Sequence, residues 1–194
     1  MKQLNNIHRG DFLDILPKNS IGVELGVFKG EFAIEILNRV QPKLLWLIDP
    51  WWLLGKHKDD EPLGRPTDWK NRGDHSIIDD FTNFVQHIKD VLLEKRVKIK
   101  IENDLEALPT YEDNYFDWAY IDSSHEYEHT KKELEILQYK VKDGGYILGH
   151  DWQPDPNHRH HGVTKAVNEF INETSFELVY LDNRIQWCIQ KKSI

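Results

Sequence analysis

Short apolar runs alternate along the chain with longer segments in which apolar residues recur every three or four positions. A buried strand produces the first pattern and an amphipathic helix the second. The strand-like runs are residues 20–25, 44–48, 97–101, 117–121 and 146–148. The helical patterns cover residues 31–40, 77–92, 130–141 and 163–171, and the third helix is predicted to stop before Gly144 and Gly145.

Strands that alternate with helices form a parallel sheet covered by helices on both faces. Two further strand-like runs, residues 176–181 and 185–189, are separated by Asp182, Asn183 and Arg184. That connection is too short for a parallel crossover, so these two strands must pair antiparallel. We therefore predict a three-layer α/β fold, with residues 1–194 forming a single domain.

The composition narrows the classes of function. Hydrophobic residues make up 39% of the chain, which supports a folded core, and 33 acidic against 25 basic residues give a net charge of −8. A general binder of nucleic acid or anionic membranes is disfavoured, because such proteins carry basic clusters. The sequence contains no apolar run of membrane-spanning length and no signal-peptide pattern. Because Cys188 is the lone cysteine, an intrachain disulfide is excluded, and we expect a soluble cytoplasmic protein.

Two segments interrupt the alternation and are candidate active-site loops. Residues 51–74 mix Lys, Asp, Gly and Pro without a period, which suggests a lid, and residues 153–162 form a second loop. Ligands of open parallel sheets bind beyond the carboxyl ends of the strands, and acidic residues stand at these predicted ends. The second loop contains His158, His160 and His161, which we expect to be solvated rather than to bind a metal.

The first strand–helix junction reads Glu24-Leu-Gly26-Val-Phe28-Lys-Gly30. Gly26 permits a sharp turn close to a ligand, and Gly30 permits close packing of the next helix. Asp49 ends the second strand, where an acid can accept hydrogen bonds from ribose hydroxyls. A dinucleotide fingerprint would have glycine in place of Phe28, and Glu24 suits a cationic group such as the amine or sulfonium of S-adenosylmethionine (SAM) better than a phosphate. The alternative is an ordinary tight turn.

These residues, followed by Asp122, the Gly144–Gly145 pair and a closing antiparallel pair of strands, resemble the class I SAM-dependent methyltransferases. The resemblance extends over about residues 20–189. Within that class, the segments IDSSHEYEHTKKELEILQYKVKDGGYILGHDW and HGVTKAVNEF resemble the small-molecule O-methyltransferases, which include the macrocin and related sugar O-methyltransferases. Ser123 departs from this pattern, since glycine is commoner there.

The resemblance implies a Rossmann-like methyltransferase fold, with seven strands in the order 3-2-1-4-5-7-6 and strand 7 antiparallel. It implies that the Gly26 loop holds the methionine part of SAM, that Asp49 holds the ribose and that Asp104 lies near the adenine. The residues placed around the cofactor are Glu24, Gly26, Phe28, Gly30, Asp49, Asp104 and Asp122. For Asp104, an N-cap of the turn at residues 105–108 stays an open alternative.

Asp122, His150 and Asp151 follow two neighbouring predicted strands. Two carboxylates and an imidazole can converge there on one divalent cation, and this donor set favours Mg²⁺ or Mn²⁺. Two alternatives stay open: His150 or Asp151 is a metal-free base for the acceptor hydroxyl, or Asp122 caps the helix that starts near His125. His125 is itself a candidate catalytic contact or an ordinary surface residue.

The leading interpretation is a SAM-dependent O-methyltransferase that acts on a hydroxyl of a sugar or phenolic, with Mg²⁺ or Mn²⁺ assistance left open. Its partner is then a small-molecule acceptor, with no nucleic acid and no membrane, and a homodimer is a possible assembly. Two other classes are a nucleotide-binding Rossmann-type enzyme and a non-catalytic, methyltransferase-like assembly module. Phe28 in place of a glycine disfavours the first of these.

Overall fold

The computed structural model describes residues 10–51 and 77–192. Its strands are β1 (Ile21–Leu25), β2 (Leu44–Ile48), β3 (Val97–Lys100), β4 (Phe116–Ile121), β5 (Val141–Gly149), β6 (Phe176–Leu181) and β7 (Trp187–Lys191). They form one seven-stranded sheet in the order β3-β2-β1-β4-β5-β7-β6. β1 to β5 pair parallel, and β7 is antiparallel to both β5 and β6. The predicted fold class and strand order are confirmed.

The helices are α1 (Glu31–Arg39), α2 (Ile77–His87), α3 (Lys89–Leu93), α4 (Asp104–Ala107), α5 (Tyr127–Lys140) and α6 (His161–Glu173), with 3-10 turns at Asp11–Ile15 and Leu108–Thr110. The prediction of a single helix over residues 77–92 is wrong. Ile88, with φ −96° and ψ 12°, separates α2 from α3. The apolar period hides this break, because Ile88 is buried like Phe84 and the bond from Ile88 N–H to the Phe84 carbonyl is kept.

α5 stops before the glycine pair, as predicted, but its predicted last residue, Val141, belongs to β5. α5 ends at Lys140, because Val141 adopts extended backbone with φ −87° and ψ 134°. Gly144 and Gly145 lie inside β5, where Gly144 has φ 75° and the register against β4 shifts. The glycines therefore belong to an irregularity in a strand, a common place for glycine, rather than to a helix end.

Two hydrophobic clusters cover the two faces of the sheet. One contains buried residues of α4, α5 and α6, such as Leu134 and Val167. The other joins α1, α2 and the N-terminal 3-10 turn, with Ile36 and Phe84 buried against the sheet. Helices therefore lie on both faces, as the sequence predicts, and the carboxyl ends of the strands lie between the two layers.

Backbone hydrogen bonds hold the strand ends level at that edge. The N–H of Asp122, directly after β4, donates to the carbonyl of Leu25 at 2.9 Å. The N–H of His150, directly after β5, donates to the carbonyl of Ile121 at 3.2 Å. The residues that follow β1, β4 and β5 consequently lie side by side.

The loops at this edge are described in part. Of the predicted lid at residues 51–74, all but Trp51 lie outside the described residues. The loop at residues 153–162 is described and leads from β5 into α6. Among the helices that the structure describes, none has the length and apolar character that a membrane span requires.

Candidate active site

The loop between β1 and α1 touches the end of β4. Gly26 has φ +82°, and a Cβ atom there would overlap the carbonyl group of Asp122. Gly30 has φ +75°, and a Cβ atom there would overlap the ring of Phe84 in α2. Both positions therefore require glycine, because of conformation and because of contact with protein atoms. The close contact at Gly30 is with α2, whereas the sequence predicts close packing of α1, the helix that begins after Gly30.

Phe28 stands in the same loop with φ 52°, a left-handed conformation that non-glycine residues rarely adopt. Its backbone carbonyl accepts a hydrogen bond from the indole N–H of Trp51 at 2.8 Å. The loop thus keeps a glycine-like backbone at the position where the dinucleotide fingerprint has glycine, although a bulky side chain occupies it. We attribute this conformation to the contacts that hold the loop from β2.

Asp49, at the end of β2, supplies most of those contacts. Its Oδ2 accepts hydrogen bonds from the N–H groups of Val27 and Phe28, each at 2.9 Å. Its Oδ1 accepts one from the N–H of Trp51 at 2.6 Å. The carboxylate is buried and anchors the loop. Glu24, within β1, is buried as well. The ribose contact predicted for Asp49 stays a prediction.

Asp104 begins α4, but its side chain points toward α5. The N-cap is Asn103, whose side chain accepts from the N–H of Leu105 at 3.0 Å, so Asp104 does not occupy the N-cap position. Oδ1 of Asp104 nevertheless also accepts from the N–H of Leu105, at 2.7 Å. Oδ1 of Asp104 lies 2.8 Å from Nε2 of His129. The predicted adenine contact stays a prediction, and the carboxylate of Asp104 is engaged elsewhere.

Side chains that follow β4 and β5 meet at the open edge of the sheet. Nδ1 of His150 lies 3.2 Å from Oδ2 of Asp151 and 3.8 Å from Oδ1 of Asp122. Nδ1 of His125 lies 3.0 Å from Oδ2 of Asp151 and 4.0 Å from Oδ1 of Asp122. Donor atoms of Asp122, His125 and Asp151 all lie within 4.8 Å of one another. The structure therefore brings together the four residues predicted as catalytic.

His160 joins them, so the expectation that it is solvated is wrong. Its Nδ1 lies 2.8 Å from Oδ1 of Asp151, and its ring stacks on that of His125 with centroids 4.9 Å apart. The side chain of His160, just before α6, is 16% exposed, whereas His158 is an exposed residue. We call the five residues the Asp151 cluster: Asp122, His125, His150, Asp151 and His160.

The electrostatics of the cluster centre on Asp151. Burial alone would raise the pKa of Asp151, but the hydrogen bond with His150 and the charge of His125 hold that pKa well below its usual range. Burial lowers the pKa of His125, against the opposing charges of the two aspartates. Asp151 and His125 also have left-handed backbone, with φ 63° and 61°. Such conformations cost about 1–3 kcal/mol and concentrate at functional sites.

The backbone behind the cluster is fixed by packing. The indole N–H of Trp187 donates to the carbonyl of His150 at 2.9 Å, and a Cβ atom at Gly149 would overlap that indole. The capping alternative for Asp122 is wrong, because α5 begins at Tyr127 with Glu126 as its N-cap and without a side-chain cap. Asp122 is therefore directed to the cluster rather than to the helix.

The sequence of residues 23–152 matches the family model of a methyltransferase domain. The chain belongs to this methyltransferase family. The expectation of a SAM-dependent methyltransferase is thereby confirmed at the level of the family. No curated protein matches the sequence.

Solved structures with the same fold come from several methyltransferases and a synthase. A candidate rRNA methylase from Clostridium thermocellum is 15% identical, with 95% of this chain and 93% of that chain covered and a TM-score of 0.63. A candidate methyltransferase from Streptococcus mutans in complex with SAH is 13% identical, with 93% of each chain covered and a TM-score of 0.57. Spermidine synthase from Thermotoga maritima is 14% identical, with 94% and 59% covered and a TM-score of 0.57. At such identities the likeness concerns the fold.

The donor atoms of the Asp151 cluster suit a metal ion. Mg²⁺ and Ca²⁺ take oxygen ligands, whereas Mn²⁺ and later transition ions also accept imidazole nitrogen. Asp122 and Asp151 supply carboxylate oxygens, and His125 and His150 supply nitrogens at distances of 3.0–4.0 Å from them. The residues therefore fit Mn²⁺ better than Mg²⁺, and the metal role stays a prediction.

Proposed function

We propose that this methyltransferase transfers the methyl group of SAM to a hydroxyl of a small molecule, a sugar or a phenolic. The observation that supports this most is the position of the Asp151 cluster beside the Gly26 loop. The Cβ position of Gly26 meets the backbone of Asp122, so the expected donor site and the acid–base groups are neighbours. A hydroxyl acceptor must lose its proton during transfer, and the cluster contains groups that can accept one.

Residues in and beside the loop between β1 and α1 would hold the methyl donor, SAM. SAM supplies a methyl group on a sulfonium when it is bound, and the buried Glu24 offers negative charge near that cationic end. Oδ2 of Asp49 already accepts two N–H bonds, which fill its two lone pairs. A ribose hydroxyl would therefore be bound by Oδ1, which also accepts from Trp51.

Two chemistries at the Asp151 cluster fit the proposal. In the first, His150 or Asp151 accepts the proton of the acceptor hydroxyl without a metal. In the second, Asp122, His150 and Asp151 bind a divalent ion, which lowers the pKa of the acceptor hydroxyl when it is bound. The second is favoured, because two carboxylates this close repel each other unless a cation or a proton lies between them.

The acceptor class is supported by charge. A net charge of −8 disfavours phosphate-rich acceptors, which bind through basic surfaces. A small neutral or phenolic acceptor needs no such surface. An rRNA fragment nevertheless belongs among the acceptors to be tested, since rRNA methylases share the fold.

The test is transfer of labelled methyl from SAM to hydroxylated sugars, phenolics and an rRNA fragment, with and without EDTA and added Mn²⁺. We expect label on a hydroxyl compound. Asp151→Asn should lower turnover at least about 100-fold while SAH binding, measured by calorimetry, is kept. The matched control is Asp155→Asn, an exposed aspartate in the next loop, which should leave turnover unchanged. Binding of NAD in place of SAH, or transfer to rRNA alone, would contradict the proposal.

A further inference from the structure

A second group of potential metal ligands lies away from the Asp151 cluster. It consists of Asp104 at the start of α4 and of His129 and Glu133 on α5. His129 and Glu133 are four residues apart, which places both on one face of the helix. Their donor atoms and that of Asp104 all lie within 4.8 Å of one another. Asp104 is also the residue expected near the adenine of SAM, whereas His129 and Glu133 have no part in the proposed methyl transfer.

The distances suit direct coordination. Nε2 of His129 lies 2.8 Å from Oδ1 of Asp104 and 3.7 Å from Oε1 of Glu133. Two ligands of a tetrahedral Zn²⁺, each at 2.0–2.1 Å, are about 3.3 Å apart. The two observed separations lie on either side of that value. Small side-chain adjustments would therefore bring Nε2 of His129 to that separation from both carboxylate oxygens, which themselves lie within 4.8 Å of each other.

The burial of Glu133 is the independent observation that points to a ligand. Its side chain is 0% exposed, and Oε1 accepts a hydrogen bond from the hydroxyl of Ser123 at 2.6 Å. Oε2 is buried and has no hydrogen-bond partner among residues 10–51 and 77–192. An unsatisfied buried carboxylate oxygen is costly, so this one either shares a proton with the neighbouring carboxylate of Asp104 or binds a metal ion. A cation bound beside Asp104 would take the place of that proton.

The donor chemistry identifies the class of ion. One imidazole and two carboxylates disfavour Ca²⁺ and Mg²⁺, which prefer oxygen ligands alone, and suit Zn²⁺ or Mn²⁺. His129 is 18% exposed, whereas Asp104 is 8% exposed, so the histidine side of the group is open to an entering ion. Three protein ligands would leave one position for water.

We propose that Asp104, His129 and Glu133 form a binding site for a divalent transition ion of the Zn²⁺ class, separate from the Asp151 cluster. The bound ion connects α4, which follows β3, to α5, which follows β4. Its ligation holds the carboxylate of Asp104 toward α5. The alternative is a hydrogen-bonded network in which His129 and Asp104 form an ion pair without a metal.

The experiment measures Zn²⁺ binding by chelator competition and elemental analysis in an Asp151→Asn background, which removes a carboxylate from the other cluster. We expect the background protein to keep about one Zn²⁺ per chain. Adding His129→Gln should weaken Zn²⁺ binding at least about 100-fold, because loss of a direct ligand exceeds the 10–100-fold effect of outer contacts. Adding Glu135→Gln, an exposed glutamate on the same helix, should change nothing.

Two further measurements keep the result interpretable. Glu133→Gln has nearly the same shape as the native side chain, so it tests the site even where His129→Gln fails to fold. Co²⁺ in place of Zn²⁺ should give visible absorption bands that Glu133→Gln alters and Glu135→Gln does not. Equal Zn²⁺ affinity with and without His129 would overturn the proposal. Zn²⁺ that is lost with Asp151→Asn alone would overturn it too, since the ion would then belong to the other cluster.

Discussion

Oδ2 of Asp49, at the end of β2, accepts a hydrogen bond from the backbone N–H of Phe28 at 2.9 Å. Phe28 holds a left-handed conformation, which costs a non-glycine residue about 1–2 kcal/mol. The shape of the loop after β1 therefore depends on a carboxylate from the neighbouring strand. A third glycine is unnecessary at position 28 because the loop is held from outside.

Asp49→Ala tests this dependence. Removal of the carboxylate leaves the N–H groups of Val27, Phe28 and Trp51 without their acceptor, and each unpaired buried donor is unfavourable. We expect the free energy of unfolding to fall by about 1–3 kcal/mol or more. SAH binding should weaken in parallel. Urea unfolding and calorimetry measure the two effects, and the exposed Asp90→Ala serves as the control. Unchanged SAH affinity would argue against a cofactor role for this loop.

Gly26→Ala tests the contact between the β1 and β4 loops. An alanine at this position must adopt the left-handed conformation, which lowers the free energy of unfolding by about 1–2 kcal/mol. Its Cβ atom also overlaps the carbonyl of Asp122, and such overpacking lowers it by about 1–3 kcal/mol more. The control is Gly144→Ala, at a half-buried position with a similar φ of 75°. We expect urea unfolding to show a larger loss for Gly26→Ala than for Gly144→Ala. Equal losses would mean that the close contact has no energetic effect.

The shifted pKa of Glu133 predicts that the stability of the fold depends on pH. Burial, followed by the negative charge of Asp104, raises the pKa of Glu133 well above its usual range. The folded chain thus keeps this proton to higher pH than the unfolded chain, whose pKa is about 4.3. The contribution of Glu133 to the free energy of unfolding is therefore greatest below about pH 4.3. It falls as the pH rises toward the pKa of the folded state, by at most about 1.4 kcal/mol per pH unit.

Glu133→Gln removes this titration. In buffers with EDTA, the variant should gain stability relative to the native chain as the pH rises from about 5 to 8. Urea unfolding at several pH values measures the difference, and Glu135→Gln on the exposed side of α5 should give a constant difference. A gap that stays constant for Glu133→Gln would mean that the buried carboxyl is ionised throughout.

The fold could be predicted because the spacing of apolar residues and the lengths of the connections between strands determine it. The strand-like run at Leu44–Ile48 and the short connection before β7 already required a mostly parallel sheet with one antiparallel strand. The division between α2 and α3 could not be predicted, since Ile88 keeps the apolar period of an unbroken helix. A change of backbone dihedral angles at one buried residue does not alter the spacing of apolar residues in the sequence.

The site could be predicted as far as it follows strand ends. Asp122 and Asp151 come directly after β4 and β5, so pairing of the strands brings them together. The positions of Asp104 and His160 depend instead on a side-chain rotamer and on the path of a loop. Neither is encoded in spacing along the chain, so the contact of Asp104 with His129 and that of His160 with Asp151 could not be predicted.

His160 is the residue that the structure adds to the predicted site residues of the Asp151 cluster. It holds Oδ1 of Asp151 at 2.8 Å and stacks on His125, so it positions the aspartate without being a predicted metal ligand. His160→Ala should weaken Mn²⁺ binding about 10–100-fold, the usual effect of losing a partner of a ligand. Manganese titration followed by electron paramagnetic resonance measures this, and SAH affinity should not change.

Two variants separate positioning from mere stability. His160→Gln can still donate a hydrogen bond to Asp151, so it should recover part of the Mn²⁺ affinity and of the turnover that His160→Ala loses. His87→Ala removes an exposed histidine at the end of α2 and should behave like the native chain. In the proposed reaction the carboxylate that His160 contacts accepts the proton or binds the ion, so the pH profile of turnover should shift for His160→Ala and not for His87→Ala. The same profile in both variants would exclude a positioning role for His160.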